Sequence, residues 1–437
     1  MNSQTAVTAS TPPVGEVDPP REKLGRHQIW ALSVLGVFTG FNMVDRGLLA
    51  LNLEPIKLEL GATDTQMSIA AGIGFFLLNA IAGVPLARLA DRYSRRDIIA
   101  IGFGFYSFIM ALMGMVTSFA GLLVTRMLLG VGEASGNAPT SALVNDLVPP
   151  QNRRMALASL RVFSALIVFV MMGSLGYVTE VYGWRASFYV LAVPAVVLVP
   201  LLLFTVREPG REKTADGKAV VPVSLRQAWS QWRKSPAFLL VLAGFALSGV
   251  TLQANSAWAA AFLARVRELD ATEIGFLSGL ARGPALLIGS LLGAWITDHF
   301  ARRDHRWRFW VPGVMLMLGT PMEILYLNAD SYYVWMPAYL LTGMLIMGSQ
   351  ASAVAICMDV SGAGLRATGL AFALLISNLL ADLIGPTSIG IMNDTIFALH
   401  GVEALRYSMA IVAFAAAAGG LLIILASRFE TEETRSG

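Results

Sequence analysis

The sequence predicts an all-α membrane protein with twelve transmembrane helices in two six-helix halves. Composition is the first observation, because 55% of the 437 residues are hydrophobic and only 14% are charged, less than a soluble protein of this size carries. The second is a succession of twelve mostly apolar stretches of about 20 residues, the length that crosses a bilayer as a helix. The third is a polar segment at 207–236, which divides these stretches six and six.

The spans are placed where apolar residues replace charged ones along the chain. Residues 1–28 are polar and contain no signal peptide, which predicts a disordered N-terminal tail. Thr63 with Gln66 forms a capping-box pattern just before the second span. Residues 207–236 are predicted to be a linker between the halves and 428–437 a C-terminal tail. The twelve predicted spans are 29–51, 66–90, 98–117, 121–146, 155–179, 184–206, 237–264, 272–297, 306–328, 333–358, 366–394 and 403–427.

The distribution of positive charge predicts the orientation. Of the 32 lysines and arginines, 22 fall on the side of the two termini and 5 fall on the opposite side. Because cytoplasmic loops are enriched in lysine and arginine, both termini and the linker are predicted to be cytoplasmic. The net charge of +3 therefore reports topology, and no nucleic-acid partner is expected.

Several kinds of chemistry lack the residues they need. The single cysteine, Cys357, excludes an intramolecular disulfide, and the four histidines are not spaced as metal ligands. The sequence contains no HExxH, GxSxG or phosphate-loop motif. We therefore predict that the protein is not an enzyme and that it binds no metal, nucleotide or other cofactor.

The two halves contain a repeated motif. The sequence ARLADRYSRRD, residues 87–97, and the sequence AWITDHFARRD, residues 294–304, share the pattern AxxxDxxxRRD at a constant offset of 207 residues. LGATD at 60–64 and LDATE at 269–273 match just upstream. In each half, one motif therefore lies at the start of the second span and the other lies at its end, which predicts a parallel repeat.

This architecture resembles the major facilitator superfamily, whose parallel six-span halves are joined by a cytoplasmic linker. The facilitator loop motif GxLADRxGRRxx is matched at Leu89, Ala90, Asp91, Arg92, Arg95 and Arg96. The resemblance implies a gate that closes the cytoplasmic side between the halves, formed by Asp91, Arg95, Arg96 and, in the repeat, Asp298. The alternative for the arginines is that they only retain the loop on the cytoplasmic side.

Ionisable residues inside spans are functional candidates, because a charge in the bilayer needs a partner or a wet cavity. Asp45 and Arg46 lie in span 1, and Arg126 and Glu133 lie two turns apart on one face of span 4. Neighbouring residues on a helix point about 100° apart, so Asp45 and Arg46 need partners on another helix. We expect these four residues to form one cluster; the alternative is static buried pairs that set helix register. The other candidates within spans are Arg161, Arg282, Glu323 and Asp382.

A second resemblance is narrower. Arg126 precedes GVGEAS at 130–135, and Ala138, Pro139 and Thr140 follow it. With the Asp-Arg pair of span 1, this pattern resembles the spinster family of facilitators, whose members move sphingolipids and lysolipids. Gly136 and Asn137 depart from the family pattern. We expect a bacterial-type homologue in the inner (cell) membrane.

The resemblance assigns expected roles. Asp45 and Glu133 would be the proton-responsive acids, and Arg46 and Arg126 would be their partners or would bind an anionic head group. In facilitators the substrate cavity lies between the halves near the bilayer midplane. We expect its second-half wall to include Gln253, Asn255, Trp258, Asn378 and Asp382, although hydrogen bonding between helices is the alternative for the polar residues of span 7.

The resemblance implies a monomeric secondary active transporter that works by alternating access. We expect it to be proton-coupled and to move a lipid-like or amphipathic organic substrate, with membrane lipids and protons as its other partners. The alternative within this class is a proton symporter of a small organic anion. A membrane-embedded sensor is less consistent with the sequence, because no output domain follows the spans.

Overall fold

The structure, a computed structural model, describes residues 24–208, 225–362 and 364–429. Its regular elements in these ranges are helices, and eleven segments are long and apolar enough to cross a membrane. The prediction of an all-α membrane protein is confirmed. Most of the two predicted tails and the middle of the predicted linker lie outside the described residues.

The spans agree with the predicted ones in number when the fourth is counted as one interrupted crossing. It consists of two helices, Phe119–Ala134 and Asn137–Leu147, which are separated at Ser135 and Gly136. A crossing needs about 20 residues. Each helix alone is shorter than this, whereas the two together are long enough. Spans 1 to 3 and 5 to 12 are Arg26–Leu51, Asp64–Ala90, Arg95–Met113, Pro150–Tyr182, Trp184–Thr205, Pro236–Arg265, Ala271–Ala301, Trp307–Asn328, Tyr332–Val360, Arg366–Asp394 and Ala398–Phe429.

The even number of crossings puts the start of span 1 and the end of span 12 on the same side. We call this side the terminal end and the opposite side the distal end. At the terminal end, Trp30 donates a hydrogen bond to Thr205 and Trp310 donates one to Ser427. Span 1 is therefore held to span 6 in the first half, and span 9 is held to span 12 in the second half.

Side-chain caps set several helix starts. The amide of Gln66 donates to the Thr63 hydroxyl at 3.2 Å, and the Thr63 amide donates to the Gln66 side chain at 2.9 Å. This is the predicted capping box, and it satisfies amide groups that the first turn cannot pair internally. Further side chains cap spans at their starts: Ser94, Ser118, Ser235 and Asp270.

Two spans are irregular near their middle. Span 2 breaks at Gly72, between the helices Asp64–Ala71 and Ile73–Arg92. Span 8 widens into a π-helical turn at Ala281–Ala285, where Pro284 has no amide hydrogen to donate. Such turns often mark functional positions, because they change the direction in which side chains point.

The two halves are in backbone contact along their distal parts. A Cβ atom at Gly275 of span 8 would lie 2.8 Å from the Cα atom of Gly176 of span 5. A Cβ atom at Gly72 of span 2 would lie 2.3 Å from the carbonyl oxygen of Asp382 of span 11. Small residues allow helices in a membrane to approach this closely. The spans of the two halves therefore pack tightly toward the distal end.

The described part of the predicted linker includes the helix Leu225–Trp232. Trp232 is buried and stacks on Phe238 with a ring-centroid distance of 4.9 Å. Its indole nitrogen donates to the carbonyl oxygen of Ser361 at 3.3 Å. This part of the linker is therefore docked against the second half.

Substitution at a close glycine-to-backbone contact within the second half tests the packing of the spans. A Cβ atom at Gly293 would lie 2.3 Å from the Cα atom of Gly348, so Gly293→Ala forces spans 8 and 10 apart. We expect a loss of about 1–3 kcal/mol, the usual cost of overpacking, and a lower melting temperature of the purified protein. Gly104→Ala is the matched control, because a Cβ atom there meets nothing within 4 Å. Equal melting temperatures of the two variants would contradict the described contact.

Candidate functional site

A fully buried ion pair joins span 1 to span 4. Nη1 of Arg126 lies 3.2 Å from Oδ2 of Asp45, and the two side chains are 1% and 0% exposed. Nε of Arg126 also donates to the carbonyl oxygen of Ala70 at 3.3 Å. Two opposite charges that leave water together retain their mutual attraction, whereas either one alone would be strongly destabilising.

A second pair lies beside the first. Nη2 of Arg46 is 3.4 Å from Oε1 of Glu133, and the Arg46 side chain is 35% exposed. The guanidinium carbons of Arg46 and Arg126 lie 4.8 and 4.9 Å from the ring centroid of Phe75. The aromatic ring favours both cations. The structure therefore brings together the four charged residues that the sequence placed in one cluster.

Each acid of the cluster keeps one oxygen without a donor. Among the described residues, Oδ1 of Asp45 and Oε2 of Glu133 are buried and have no hydrogen-bond partner. A carboxyl group can carry a proton at such an oxygen. The surroundings of the two acids differ, because Glu133 lines a cavity whereas Asp45 does not.

The cavity has a volume of about 380 Å³ and lies between the halves. This volume is within the range of small-molecule sites. Its first-half wall includes Asn42, Met43, Arg46, Glu133 and Val168. Its second-half wall combines amide, hydroxyl and arginine side chains with apolar ones, among them Leu252, Gln253, Asn255, Ser256, Arg282, Leu286, Tyr326, Tyr339, Thr342, Ile346 and Met347.

Three of the predicted second-half residues reach the site. Gln253 and Asn255 line the cavity, and Gln253 donates a hydrogen bond to Asp382. Asn255 donates to Oε1 of Glu323 at 2.8 Å. Asp382 lines a small adjoining space that Arg46 and Arg126 also line. The two amide side chains thus connect the cavity to two buried carboxyl groups.

The structure does not bring Trp258 or Asn378 to the cavity wall. Trp258 is fully buried, and its indole nitrogen donates to the carbonyl oxygen of Pro386 at 3.1 Å. The face of span 7 that carries Gln253 and Ser256 is turned toward the cavity, and Trp258 points away from it. Asn378 lies on the exposed face of span 11, beside Leu379.

The sequence did not place several cavity residues. Arg282 was a candidate only as a charge within a span, and nothing in the sequence indicated that it faces the cavity. No feature of the sequence indicated that Tyr326, Tyr339 and Thr342 line the cavity. Tyrosine and threonine are common in spans that pack on other spans. Their position depends on how spans 9 and 10 are rotated, which hydrophobic periodicity does not determine in a membrane.

Two of the four predicted gate residues, Arg95 and Arg96, make contacts within the first half. Arg95 forms an ion pair with Asp146, and Arg96 donates to the carbonyl oxygens of Leu203 and Val206 at 3.0 and 3.3 Å. Asp298 is exposed. The side chain of Asp91 lies outside the described residues. A role of these residues in closing the terminal end therefore stays a prediction.

A polar cluster joins the halves at the distal end. Arg265 donates from Nη1 and Nη2 to the two oxygens of Asp64, at 2.7 and 2.8 Å. Asn393 donates to Oδ2 of Asp64 at 2.8 Å, and Lys57 lies 2.6 Å from Oδ1. We call Glu54, Lys57, Asp64, Arg265, Asn393 and Asp394 the distal cluster. The sequence signal for it was the LxAT[DE] repeat, in which Asp64 is the acid.

Further contacts extend this connection. Asp394 of span 11 accepts from the amides of Asp64 and Thr65 at 3.3 and 2.7 Å, at the positive end of the helix dipole of span 2. Glu54 forms an ion pair with Arg265. Ser68 donates to the carbonyl oxygen of Pro386 at 2.9 Å. Together with the glycine contacts, the distal cluster holds the halves together on the distal side of the cavity.

Comparison with known proteins identifies the family. The sequence model of the Major Facilitator Superfamily matches residues 35–386, which is most of the chain. The chain belongs to the Major Facilitator Superfamily. This facilitator is 29% identical to an MFS-type efflux pump of Mycolicibacterium smegmatis, over 93% of its own length and 94% of the pump's. It is 26% identical to protein spinster homolog 1 of Xenopus tropicalis, over 92% and 81% of the two chains.

A solved structure supports the same fold. The structure of a bacterial homologue of the human lysosomal transporter spinster, in an inward-facing and unoccupied conformation, superposes with a TM-score of 0.83. The match covers 93% of this facilitator and 98% of that chain at 21% identity. The predicted facilitator fold and the resemblance to the spinster family are confirmed. The relatives are transporters, which confirms the prediction that this facilitator is not an enzyme.

The buried ion pair gives a test by double substitution. Asp45→Asn or Arg126→Met leaves one buried charge without its partner, and each is expected to reduce stability by about 3–5 kcal/mol. The double variant is expected to lose much less than the sum, because no uncompensated charge remains. Thermal unfolding of the purified protein measures the difference.

The control is Asp359→Asn, which breaks a partly exposed pair with Arg308. We expect it to cost less than about 1 kcal/mol. Strictly additive losses for Asp45→Asn and Arg126→Met would show that the two charges do not interact.

Proposed function

We propose that this facilitator is a proton-coupled transporter that moves an amphipathic organic substrate by alternating access. The observation that carries the proposal is the Arg46–Glu133 pair on the wall of the cavity between the halves. When a carboxyl group at a cavity wall is paired with an arginine, protonation of the carboxyl group weakens the pair. Proton binding is thereby linked to the release of the arginine side chain.

Glu133 is the proton carrier in this proposal. When its carboxylate takes up a proton, its attraction for Arg46 is lost and the guanidinium becomes available to a substrate or to another acid. Asp45 is fully buried against Arg126 and has no access to the cavity, so we assign it the role of holding that arginine. The ionisable groups that surround Glu133 are Arg46, Asp45, Arg126, Asp382 and Tyr106.

The composition of the cavity wall supports an amphipathic substrate. Polar side chains such as Arg46, Asn42 and Asn255 suit a polar head group, and apolar ones such as Leu286 and Met347 suit an aliphatic tail. The second candidate function is proton symport of a small organic anion. The observation that favours it is the pair of cavity arginines, Arg46 and Arg282, on opposite walls.

Alternating access requires that contacts at the two ends form in turn. In this proposal the distal cluster closes the distal end, and Asp91, Arg95, Arg96 and Asp298 close the terminal end when the distal cluster separates. The distribution of lysine and arginine supports a cytoplasmic terminal end. We place the protein in a bacterial inner membrane as a monomer, in contact with membrane lipids.

Transport by purified protein in liposomes tests the proton coupling. Uptake of a lysophospholipid, sphingosine, ethidium or galactonate is measured with and without an imposed pH gradient. For the accepted compound, we expect Glu133→Gln to reduce gradient-driven uptake to the level without a gradient, because glutamine cannot exchange a proton. Exchange of labelled for unlabelled compound should persist. Asp330→Asn, in an exposed loop, is the control. Unchanged gradient-driven uptake by Glu133→Gln would refute the proposed carrier.

Labelling of a cavity cysteine tests the distal cluster. In a background with Cys357→Ser, Ser256→Cys places one thiol at the cavity wall. Asp64→Asn removes the charge that binds Arg265, so a charged maleimide applied from the distal side should react with this thiol several times faster. Glu59→Gln is the control, because Glu59 pairs with Arg185 inside the first half. Equal rates in the two variants would exclude a gating role for Asp64.

A further inference from the structure

One arginine on the cavity wall forms no ion pair with an acid among the described residues. Arg282 lines the cavity from span 8, and within the part of the chain that the structure describes it forms no ion pair with a carboxylate. Its guanidinium contacts Ser256 instead, with Nη1 donating to the hydroxyl at 2.8 Å and Nη2 donating to the carbonyl oxygen. The other cavity arginine, Arg46, is paired with Glu133.

Two other buried carboxyl groups of the second half are bound by side chains other than Arg282. Asp382 accepts a hydrogen bond from Gln253, and Glu323 accepts one from Asn255. Each acid is thus held by an amide and not by Arg282. Among the described residues, the hydrogen bonds of Arg282 are therefore to neutral groups, and Asp45, the acid whose charge acts on it, forms its ion pair with Arg126.

The position of Arg282 excludes the usual way in which a span tolerates an arginine. Near a span end, a long side chain reaches the membrane surface. Arg282 lies eleven residues after Ala271, the first residue of span 8, which is about 16 Å along the helix axis at 1.5 Å per residue. The charge is therefore held at depth, where a charged residue usually marks a substrate or ion pathway.

The fold directs this side chain into the space between the halves. Arg282 belongs to the π-helical turn of span 8. Its Cδ atom would lie 3.3 Å from a Cβ atom at Gly47, so the absence of a side chain at Gly47 leaves room for it. Gly47 follows Arg46 directly, which brings the guanidinium groups of spans 1 and 8 to one cavity.

We propose that Arg282 binds the anionic head group of the substrate, a carboxylate or a phosphate monoester, while the apolar wall formed by Leu286, Ile346 and Met347 holds an aliphatic tail. The planar guanidinium has five donors, only two of which Ser256 occupies, and it binds carboxylate and phosphate with two parallel hydrogen bonds. This inference rests on the proposed function, because it takes the cavity as the transport site. It assigns substrate selection to the second half and proton exchange to Glu133 in the first.

Binding of four probes that share an eight-carbon chain and differ in head group tests the assignment. Octanoate, octyl phosphate, octyltrimethylammonium and octanol are titrated into the purified full-length protein, and their dissociation constants are measured. We expect the two anions to bind more tightly than octanol, and the cation to bind most weakly. The tighter of the two anions then identifies a carboxylate or a phosphate head group.

Substitution of Arg282 gives the decisive comparison. Arg282→Gln is expected to weaken anion binding by about tenfold or more, as the loss of a charge-assisted hydrogen bond implies, and to leave octanol binding unchanged. Arg282→Lys keeps the charge and should retain part of the preference for anions. Arg161→Gln is the matched control, because Arg161 is an exposed arginine of span 5 that does not line the cavity.

Two outcomes would overturn the assignment. One is wild-type protein that binds octyltrimethylammonium as tightly as the anions, and the other is an anion preference that survives in Arg282→Gln. Octanol binding reports whether each variant keeps its cavity, and Arg282→Lys tests the charge if Arg282→Gln does not fold. Anion binding that depends on Arg282, in a protein without gradient-driven uptake, would refute proton coupling and still support this site.

Discussion

The ion pair between Asp45 and Arg126 is the interaction on which the cluster depends. It joins spans 1 and 4 inside the membrane-embedded part of the first half, where both side chains are buried. Neither residue can be lost alone without leaving a charge in a medium that cannot solvate it. Because the pair sets how spans 1 and 4 face each other, it also sets where Arg46 and Glu133 stand, each of which is on one of these spans.

Two ion pairs of similar composition thus have different surroundings. The Asp45–Arg126 pair is fully buried, whereas the Arg46–Glu133 pair borders the cavity and its arginine is one-third exposed. A fully buried pair has one stable charge state, because a change in either partner is costly. A pair at a wet wall can exchange a proton or a partner at lower cost. In the proposed transport cycle, this difference separates a structural role for the first pair from a coupling role for the second.

The contacts between the halves are also distributed unevenly along the membrane normal. Glycine contacts and the distal cluster hold the distal parts of the halves together. The cavity lies between the halves on the terminal side of these contacts. Backbone contacts of this kind are either formed or lost, since no flexible side chain lies between the helices. Arg282 lines this cavity from the second half, and Arg46 and Glu133 line it from the first. A substrate bound there would touch both halves, as alternating access requires.

The sequence by itself determined the twelve crossings, the parallel repeat and the identity of the four charged residues of spans 1 and 4. These features can be recognised in the sequence because bilayer thickness sets the length of a span, and because a charged residue within an apolar run is easily identified. The rotation of each span was decided only by the tertiary structure. In a membrane both faces of a helix are apolar, so periodicity does not distinguish the face of Gln253 from that of Trp258. The pairing of Asp64 with Arg265 likewise joins residues about 200 positions apart in the chain, which only the close packing of the two halves brings together.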